Sequence, residues 1–192
     1  MLNNLSSYKI VLGSQSPRRQ QLLKGLDITF DIVTSDADED FSPDLKKQDI
    51  PLFLSKQKAQ AIVPKLEGNY LLITCDTVVW INDEVLNKPA DQAEAHSMLR
   101  KLSGNTHEVF TAVTLTTKNQ SHSFYDRTAV SFKNLSDEEI DYYIKTCKPF
   151  DKAGSYGVQE WLGYVAIHKI EGCFFNVMGL PLNKLYDELK KY

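Results

Sequence analysis

Between Tyr70 and Trp80 the chain carries an apolar, β-branched run, YLLITCDTVVW, interrupted by Asp76 and Thr77. By composition this is a strand, and a carboxylate in its middle limits what can be built around it. Burying an unpaired Asp costs several kcal/mol. The fold must therefore bring a cation, a metal ion or a water-filled cleft to Asp76. The competing reading is an aspartate at a strand end, met by backbone N–H groups.

The remaining pattern supplies the elements around this strand. Tyr8 to Leu12 is a β-rich run ending at Gly13, after which Ser16-Pro17 offers an N-cap and a first-turn proline to a helix through Leu22, Leu23 and Leu26. Phe30 to Val33 reads as a second strand and SDADEDFSPD as an acidic loop. Leu52 to Val63 favours a helix carrying Lys56 and Lys58, and Asn82-Asp83 a hairpin turn into Val85 and Leu86. Apolar positions at i, i+3, i+4 and i+7 predict amphipathic helices at 95–102, 140–147 and 182–189. Ser136 stands three before Glu139, the spacing of a capping box. His107 to Thr117, Ser121 to Phe132 and Tyr164 to Ile170 read as strands. Helices and hairpins alternate without repeats or long linkers, which predicts an α/β fold with a mixed sheet. At 192 residues and 42% hydrophobic content, residues 1–192 are expected to form a single domain, or two closely joined lobes with a cleft between them.

Charge and cysteine usage narrow the function classes. The 22 basic and 25 acidic residues give a net charge of -3, so no overall positive field exists for a nucleic-acid partner. Phosphate binding must come from a local cluster. Cys75, Cys147 and Cys173 show no CxxC pair and no zinc spacing with histidine, and are read as reduced, mostly packed thiols. The stretch MLNNLSSYKIVLGS does not resemble a secretion signal, and no apolar run approaches the roughly 20 residues that span a bilayer. No membrane partner is expected, and a cytoplasmic location is. The sequons at Asn4 and Asn134 are accordingly read as unmodified. His96, His107, His122 and His168 form no catalytic or metal-binding spacing, and no P-loop or dinucleotide fingerprint is present.

Four segments can carry chemistry. SQSPRR puts Ser14, Ser16, Arg18 and Arg19 at a helix N-terminus, where free N–H groups, the helix dipole and two guanidinium groups attract phosphate. Its bland alternative is an N-cap beside solvated arginines. Asp36, Asp38, Glu39 and Asp40 form an acidic cluster that, with Asp76, offers oxygen ligands to a hard divalent ion; otherwise it is a charged loop. Lys88-Pro89 follows the hairpin, where a lysine is ordinarily just solvated. DKAGSYGVQ concentrates small residues before Gln159, which both donates and accepts hydrogen bonds, or is an ordinary glycine-containing turn.

Taken in order, SQSPRR, DADED, KQKA, CDTVV, NKP, LSGNTHEVFTAV, DKAGSYGVQ and NVMGLPL resemble the Maf family of nucleoside triphosphate pyrophosphatases over nearly the whole chain. The most specific parts are the serine-proline-arginine loop, the Asp-Thr-Val-Val run, and the Asp-Lys-Ala-Gly to Gln segment. The resemblance implies an inosine-triphosphatase-like fold, a long bent mixed β-sheet flanked by helices with a nucleotide cleft between two lobes, commonly assembled as a homodimer. It also implies roles for individual residues. Asp76 matches the catalytic base, Glu39 and Asp76 the metal-binding acids, and Ser14, Ser16, Arg19, Lys58 and Lys88 the groups that take the triphosphate. Arg18, Thr77 and Gln159 match the specificity positions of the dTTP and UTP branch. The implied cofactor is a divalent cation, Mg2+ or Mn2+, and the implied products are nucleoside monophosphate and pyrophosphate. Cys75 and Gln15 depart from the family pattern, standing where smaller residues are usual.

Two other functions remain open on the sequence. One is the 7-methylguanosine triphosphate branch, which carries a tryptophan near Arg18 and an acidic residue near Gln159, neither found here. The other is a nucleotide-binding regulator of cell division (septum formation), which would need cations for phosphate but no water-activating carboxylate.

Overall fold

A computed structural model describes residues 2–34 and 39–192. Asp36 and Asp38 of the acidic cluster lie outside the described residues. In chain order the elements are β1 (Lys9–Leu12), α1 (Pro17–Lys24), β2 (Asp31–Ile32), α2 (Asp49–Ile62), β3 (Tyr70–Ile81), β4 (Glu84–Leu86) and α3 (Gln92–Leu102). They continue with β5 (Thr106–Thr116), β6 (Ser121–Phe132), α4 (Asp137–Cys147), α5 (Trp161–Val165), β7 (Ile167–Glu171), α6 (Phe174–Met178) and α7 (Leu182–Leu189). The strands run in the order β2-β1-β3-β5-β6-β7, with β4 paired to β3. Pairing of β1 with β2 and β3 is parallel, whereas β3–β4 and β6–β7 are antiparallel. The sheet is therefore mixed and flanked by helices, the α/β class that the alternation of hairpins and helices predicts.

The chain divides into two compact units. The first comprises Met1–Asp76, Thr111–Asp126 and Gly179–Tyr192. In it, α2 packs on β1 and β3 through Val11, Ala59, Ile62, Tyr70 and Leu72, all buried. Gly13 follows β1, and a Cβ there would lie 2.6 Å from Thr74 Cγ2 and 2.7 Å from Ile62 Cδ1, so only glycine lets the loop close on β3 and α2. The expected strand at 30–33 contracts to Asp31–Ile32, both exposed.

The second unit comprises Thr77–Phe110 and Arg127–Met178. Its core gathers Val79 and Ile81 of β3, Val109 of β5, Val130 and Phe132 of β6, and the apolar faces of α3 and α4. The amphipathic spacing read from the sequence is the face that each of these helices buries. Both starts are capped: Asp91 accepts from the Glu94 N–H at 2.9 Å, and Ser136 and Glu139 form the full capping box. The β3–β4 turn places Asn82 and Asp83 at φ 50° and 59°, left-handed positions these short polar side chains tolerate.

One expected strand is corrected. Tyr164 and Val165 belong to α5, and β7 begins only at Ile167. Leu162 and Ala166, both buried, are four residues apart on one helical face, and the Ala166 N–H donates to the Leu162 carbonyl at 2.8 Å. A short run of aromatic and branched residues suits strand or helix equally, and here burial at i and i+4 selects the helix.

His107 on β5 is 1% exposed, packs edge-on against Phe132 and Tyr156, and meets the Tyr156 hydroxyl at 2.7 Å through Nε2. Burial pushes its pKa down to about 3 from an ordinary 6.5, so the folded chain holds it neutral. Between those two values the unfolded chain binds a proton that the folded chain refuses, so stability rises with pH across this window and is lost as pH falls through it. Thermal melts should therefore fall more steeply below pH 6.5 for the wild type than for His107→Gln. Equal pH slopes would show that His107 does not set this acid sensitivity.

Candidate active site

In the first unit the chemistry gathers around Asp76. Alternation along β3 turns Tyr70, Leu72, Thr74 and Asp76 to one face, the face covered by α2. Lys58 comes from α2, where side chains lean toward the helix N-terminus, and its Nζ reaches Asp76 Oδ1 at 2.5 Å and Glu39 Oε1 at 2.9 Å. The side chains of Lys58 and Asp76 are only 15% and 10% exposed, so this pair is poorly screened by water, unlike a surface ion pair.

Burial by itself would lower the pKa of Lys58. The Asp76 charge and the hydrogen bonds that Lys58 donates to Asp76 and Glu39 outweigh burial and the nearby Arg19, leaving the ammonium above its usual range. Lys58 is therefore cationic at neutral pH. Cys75, on the opposite face of β3, is fully buried; burial pushes its thiol up against the pull of Arg19 and Lys58, so it stays protonated. It is free, as are the half-buried Cys147 and Cys173. The cation that Asp76 requires is thus a lysine, and backbone capping at a strand end is not the arrangement adopted.

The first loop supplies more positive charge beside this pair. Ser16 occupies the N-cap of α1, but its side chain makes no capping bond; instead its N–H donates to Ser14 Oγ at 3.2 Å. Pro17 opens the helix. Arg19 Nε donates to the Gly179 carbonyl at 2.9 Å, which anchors the side chain while its charge reaches Lys58 and Cys75. Arg18 is half-buried on the same turn. Gln15, larger than the family pattern, lies exposed with its amide donating to Thr34 Oγ1 at 3.3 Å. Among the described residues no group of three or more His, Cys, Asp or Glu is gathered as for a metal. Glu39 and Asp76 do supply two carboxylates that converge on one cationic atom.

Thr77, Lys88 and Gln159 belong to the second unit. Thr77 follows Asp76 but turns to the other face of β3. Lys88 is exposed after β4, and its neighbour Asn87 accepts from the Gly154 N–H at 3.2 Å. Gly154 and Ser155 both take positive φ, 67° and 59°, and a Cβ on Gly154 would lie 2.9 Å from Val79 Cγ2. The glycine lets the DKAGSYGVQ segment fold tightly onto β3.

Sequence reasoning missed the polar network that ties down the segment on either side of Gln159. Lys152, 7% exposed, pairs with Glu160 at 3.0 Å and Asp151 at 2.7 Å; Glu160 accepts from the Tyr143 hydroxyl, which in turn accepts from the Gly157 N–H at 3.0 Å. Burial, then Glu160, raises the Tyr143 phenol far above its usual range, so it remains a donor. The spacing had marked Tyr143 only as an apolar helix position. A buried tyrosine needs a partner for its hydroxyl, and that was the available signal. Gln159 itself lines a hollow of about 490 Å³ with Tyr164, His168 and Phe174, and its backbone carbonyl accepts from the Tyr164 hydroxyl at 3.0 Å.

Residues 9–192 match the family model described as Maf-like protein. The chain belongs to this family. It is similar to the dTTP/UTP pyrophosphatase of Parabacteroides distasonis, 50% identical over 193 residues and covering 100% of both chains. The dTTP/UTP pyrophosphatase of Porphyromonas gingivalis is 52% identical over 195 residues, covering 100% of this chain and 98% of the relative. Among solved structures, a HAM1 protein from Coxiella burnetii is 15% identical with a TM-score of 0.50, covering 96% of this chain and 100% of that one. That likeness shows a shared fold.

The α5 turn fixes the segment before it. A Cβ on Gly163 would stand 1.9 Å from the Val158 carbonyl oxygen, a backbone atom that cannot yield without moving Gln159. Gly163→Ala should therefore lower the thermal midpoint by several degrees, the scale of an overpacking cost of about 1–3 kcal/mol. A variant that melts with the wild type would show that α5 moves off Val158 at no cost.

Proposed function

We propose that this chain hydrolyses nucleoside triphosphates between the α- and β-phosphates, preferring dTTP and UTP and releasing nucleoside monophosphate and pyrophosphate, in a house-cleaning role in the nucleotide pool. The observation that carries the reading is the convergence of Glu39 and Asp76 on Lys58, with Arg19 close by. Water-handling carboxylates and phosphate-binding cations stand in one place. A protein that only bound nucleotide, such as the cell-division regulator, would need the cations alone. The dTTP/UTP pyrophosphatases that are 50% and 52% identical over essentially their full length support the same activity.

In the proposed reaction a water oxygen bonds to the α-phosphorus while the bond from that phosphorus to the bridging oxygen breaks. Pyrophosphate leaves with the bonding pair, and Asp76 takes the proton from the water. Arg19, Lys58 and Lys88, with the hydroxyls of Ser14 and Ser16, neutralise and orient the phosphates so that the water can approach. A divalent cation, Mg2+ or Mn2+, belongs to this reading. Glu39 and Asp76 fit it because both present hard oxygen atoms to a single positive charge, here the Lys58 ammonium. When bound, such an ion supplies further neutralisation of the phosphate charge. The reading also makes the protein a cytoplasmic homodimer acting on free nucleotides, with no nucleic acid or membrane as partner. The net charge of -3 agrees with the absence of a nucleic-acid partner. Among the described residues no helix is long and apolar enough to cross a membrane.

The base is assigned to Arg18, Thr77 and Gln159. Uracil and thymine present an N3–H donor between two carbonyl acceptors, and the glutamine amide both accepts and donates while Arg18 donates. A glutamate at the same place would suit a guanine edge rich in N–H groups.

A panel of nucleoside triphosphates, assayed with Mg2+ or Mn2+ and again with chelator, should give dTTP and UTP the highest kcat/KM and no turnover in chelator. Asp76→Asn should cut that turnover at least about a hundredfold. Highest activity on 7-methylguanosine triphosphate or a purine nucleotide would remove the branch assignment, and full activity in chelator would remove the metal. Gln159→Glu should cost dTTP and UTP about 1–3 kcal/mol in kcat/KM, the penalty of an unmatched buried polar group. An unchanged preference in that variant would take Gln159 out of base reading.

A further inference from the structure

Between the apolar base of the α2–β3 contact and the ion pair lies a layer of hydroxyl groups. Thr74, Ser55 and Thr114 are each fully buried. Thr74 Oγ1 donates to the Ser55 carbonyl at 2.8 Å, and Ser55 Oγ lies 2.9 Å from Thr114 Oγ1, which lies 2.9 Å from Ser123 Oγ. Ser55 Oγ also donates to the Leu52 carbonyl at 3.1 Å. Donation can thus run in one direction, from Ser123 through Thr114 and Ser55 to the α2 backbone, with Thr74 holding the same turn of helix from β3.

The register gives this layer its consequence. Thr74 stands two residues before Asp76 on one face of β3, and Ser55 stands three residues before Lys58 on one face of α2. Tyr70 and Leu72 meet Ala59 and Ile62 through apolar contact, which is non-directional and selects no particular hydrogen-bonding group of α2. A hydrogen bond from a side chain to one chosen helix carbonyl does not tolerate sliding, because its strength falls steeply with distance and angle. Thr74 also closes the other side of this layer, since its Cγ2 occupies the space that a side chain on residue 13 would need.

We propose that Thr74 is a positioning residue for the reaction: its hydroxyl, bonded to the Ser55 carbonyl, fixes the turn of α2 that carries Lys58 against the point of β3 that carries Asp76. This rests on Asp76 and Lys58 forming the reaction centre proposed above. Thr74 touches neither substrate nor the reacting water in this assignment. Its influence passes through the Lys58–Asp76 contact. Removing the hydroxyl should let Lys58 drift, with an effect on the reacting geometry larger than that on substrate affinity.

The test compares Thr74→Val, which keeps the shape and removes the hydroxyl, with Thr74→Ser, which keeps the hydroxyl, each assayed on dTTP and UTP. Thr74→Val should lower kcat about tenfold with KM within about twofold, a modest displacement of reacting groups being sufficient for such a loss. Thr74→Ser should recover most of kcat. In a Lys58→Ala background the Thr74→Val change should have no further effect, because the group through which it acts is gone. A readout independent of turnover is the Lys58 Nζ–Asp76 Oδ1 distance in crystals of each variant, which should lengthen from 2.5 Å in Thr74→Val and return in Thr74→Ser. Wild-type kcat and an unchanged Lys58–Asp76 distance in Thr74→Val would overturn the proposal, as would failure of Thr74→Ser to recover either. A wild type inactive on every nucleotide would overturn the proposed function instead, and the Lys58–Asp76 distance would still decide whether Thr74 positions the pair. Should Thr74→Val not fold, Thr74→Ala removes the same hydroxyl without introducing a second methyl and carries the same expectations.

Discussion

The 2.5 Å contact between Lys58 Nζ and Asp76 Oδ1 is what allows β3 to carry a carboxylate at a buried position. A charge at a site 10% exposed is stable only if an opposite charge reaches it, and the partner must also be placed without loss of packing. Lysine meets both demands. Its long four-carbon stem lets the ammonium reach from α2 to the acid on β3. The cost of burying Lys58 is offset locally by Asp76 and Glu39, so the ammonium keeps its proton more firmly than burial alone would permit. The first unit is ordered around this pair, with apolar residues at the base of the α2–β3 contact, hydroxyls above them, and charge at the end.

The second unit solves a different problem with the same means. The segment that carries Gln159 contains little regular structure, so its shape cannot come from backbone ladders. It comes from buried polar side chains: Lys152 on Glu160, Glu160 on Tyr143, and Tyr143 on the Gly157 N–H. Each of these groups would be costly to bury alone, and each has its partner. Tight backbone approach at Gly154 and Gly163 completes the constraint.

Much of this is legible in the sequence. The three amphipathic helices, the Ser136–Glu139 box, the Asn82-Asp83 turn and the long strands follow from periodicity and local hydrogen-bonding chemistry, which act over a few residues. The demand for a cation, a metal ion or a water-filled cleft at Asp76 was legible too, because the penalty for an unpaired buried charge does not depend on the fold. The end of α5 was not. Residues 161–166 have a composition that suits either element, and only the burial of Leu162 and Ala166 on one face distinguishes them. Nor was the network beneath Gln159, since apolar spacing assigns Tyr143 to a core without saying what its hydroxyl requires.

By itself, then, the sequence determined the element types, the α/β class with its mixed sheet, the chemical character of each site segment, and the need for a cation, a metal ion or a water-filled cleft beside a buried Asp76. All of these are set by interactions between near neighbours in the chain or by the solvation of a single group. Tertiary structure decided which cation answers Asp76. Lys56 and Lys58 are both on α2, and only the register of that helix on β3 brings one of them to the carboxylate. It likewise decided that Ser55, Thr74 and Thr114, distant in the chain, share one buried layer of hydrogen bonds. Those outcomes depend on packing among segments separated by tens of residues, and no local pattern carries that information.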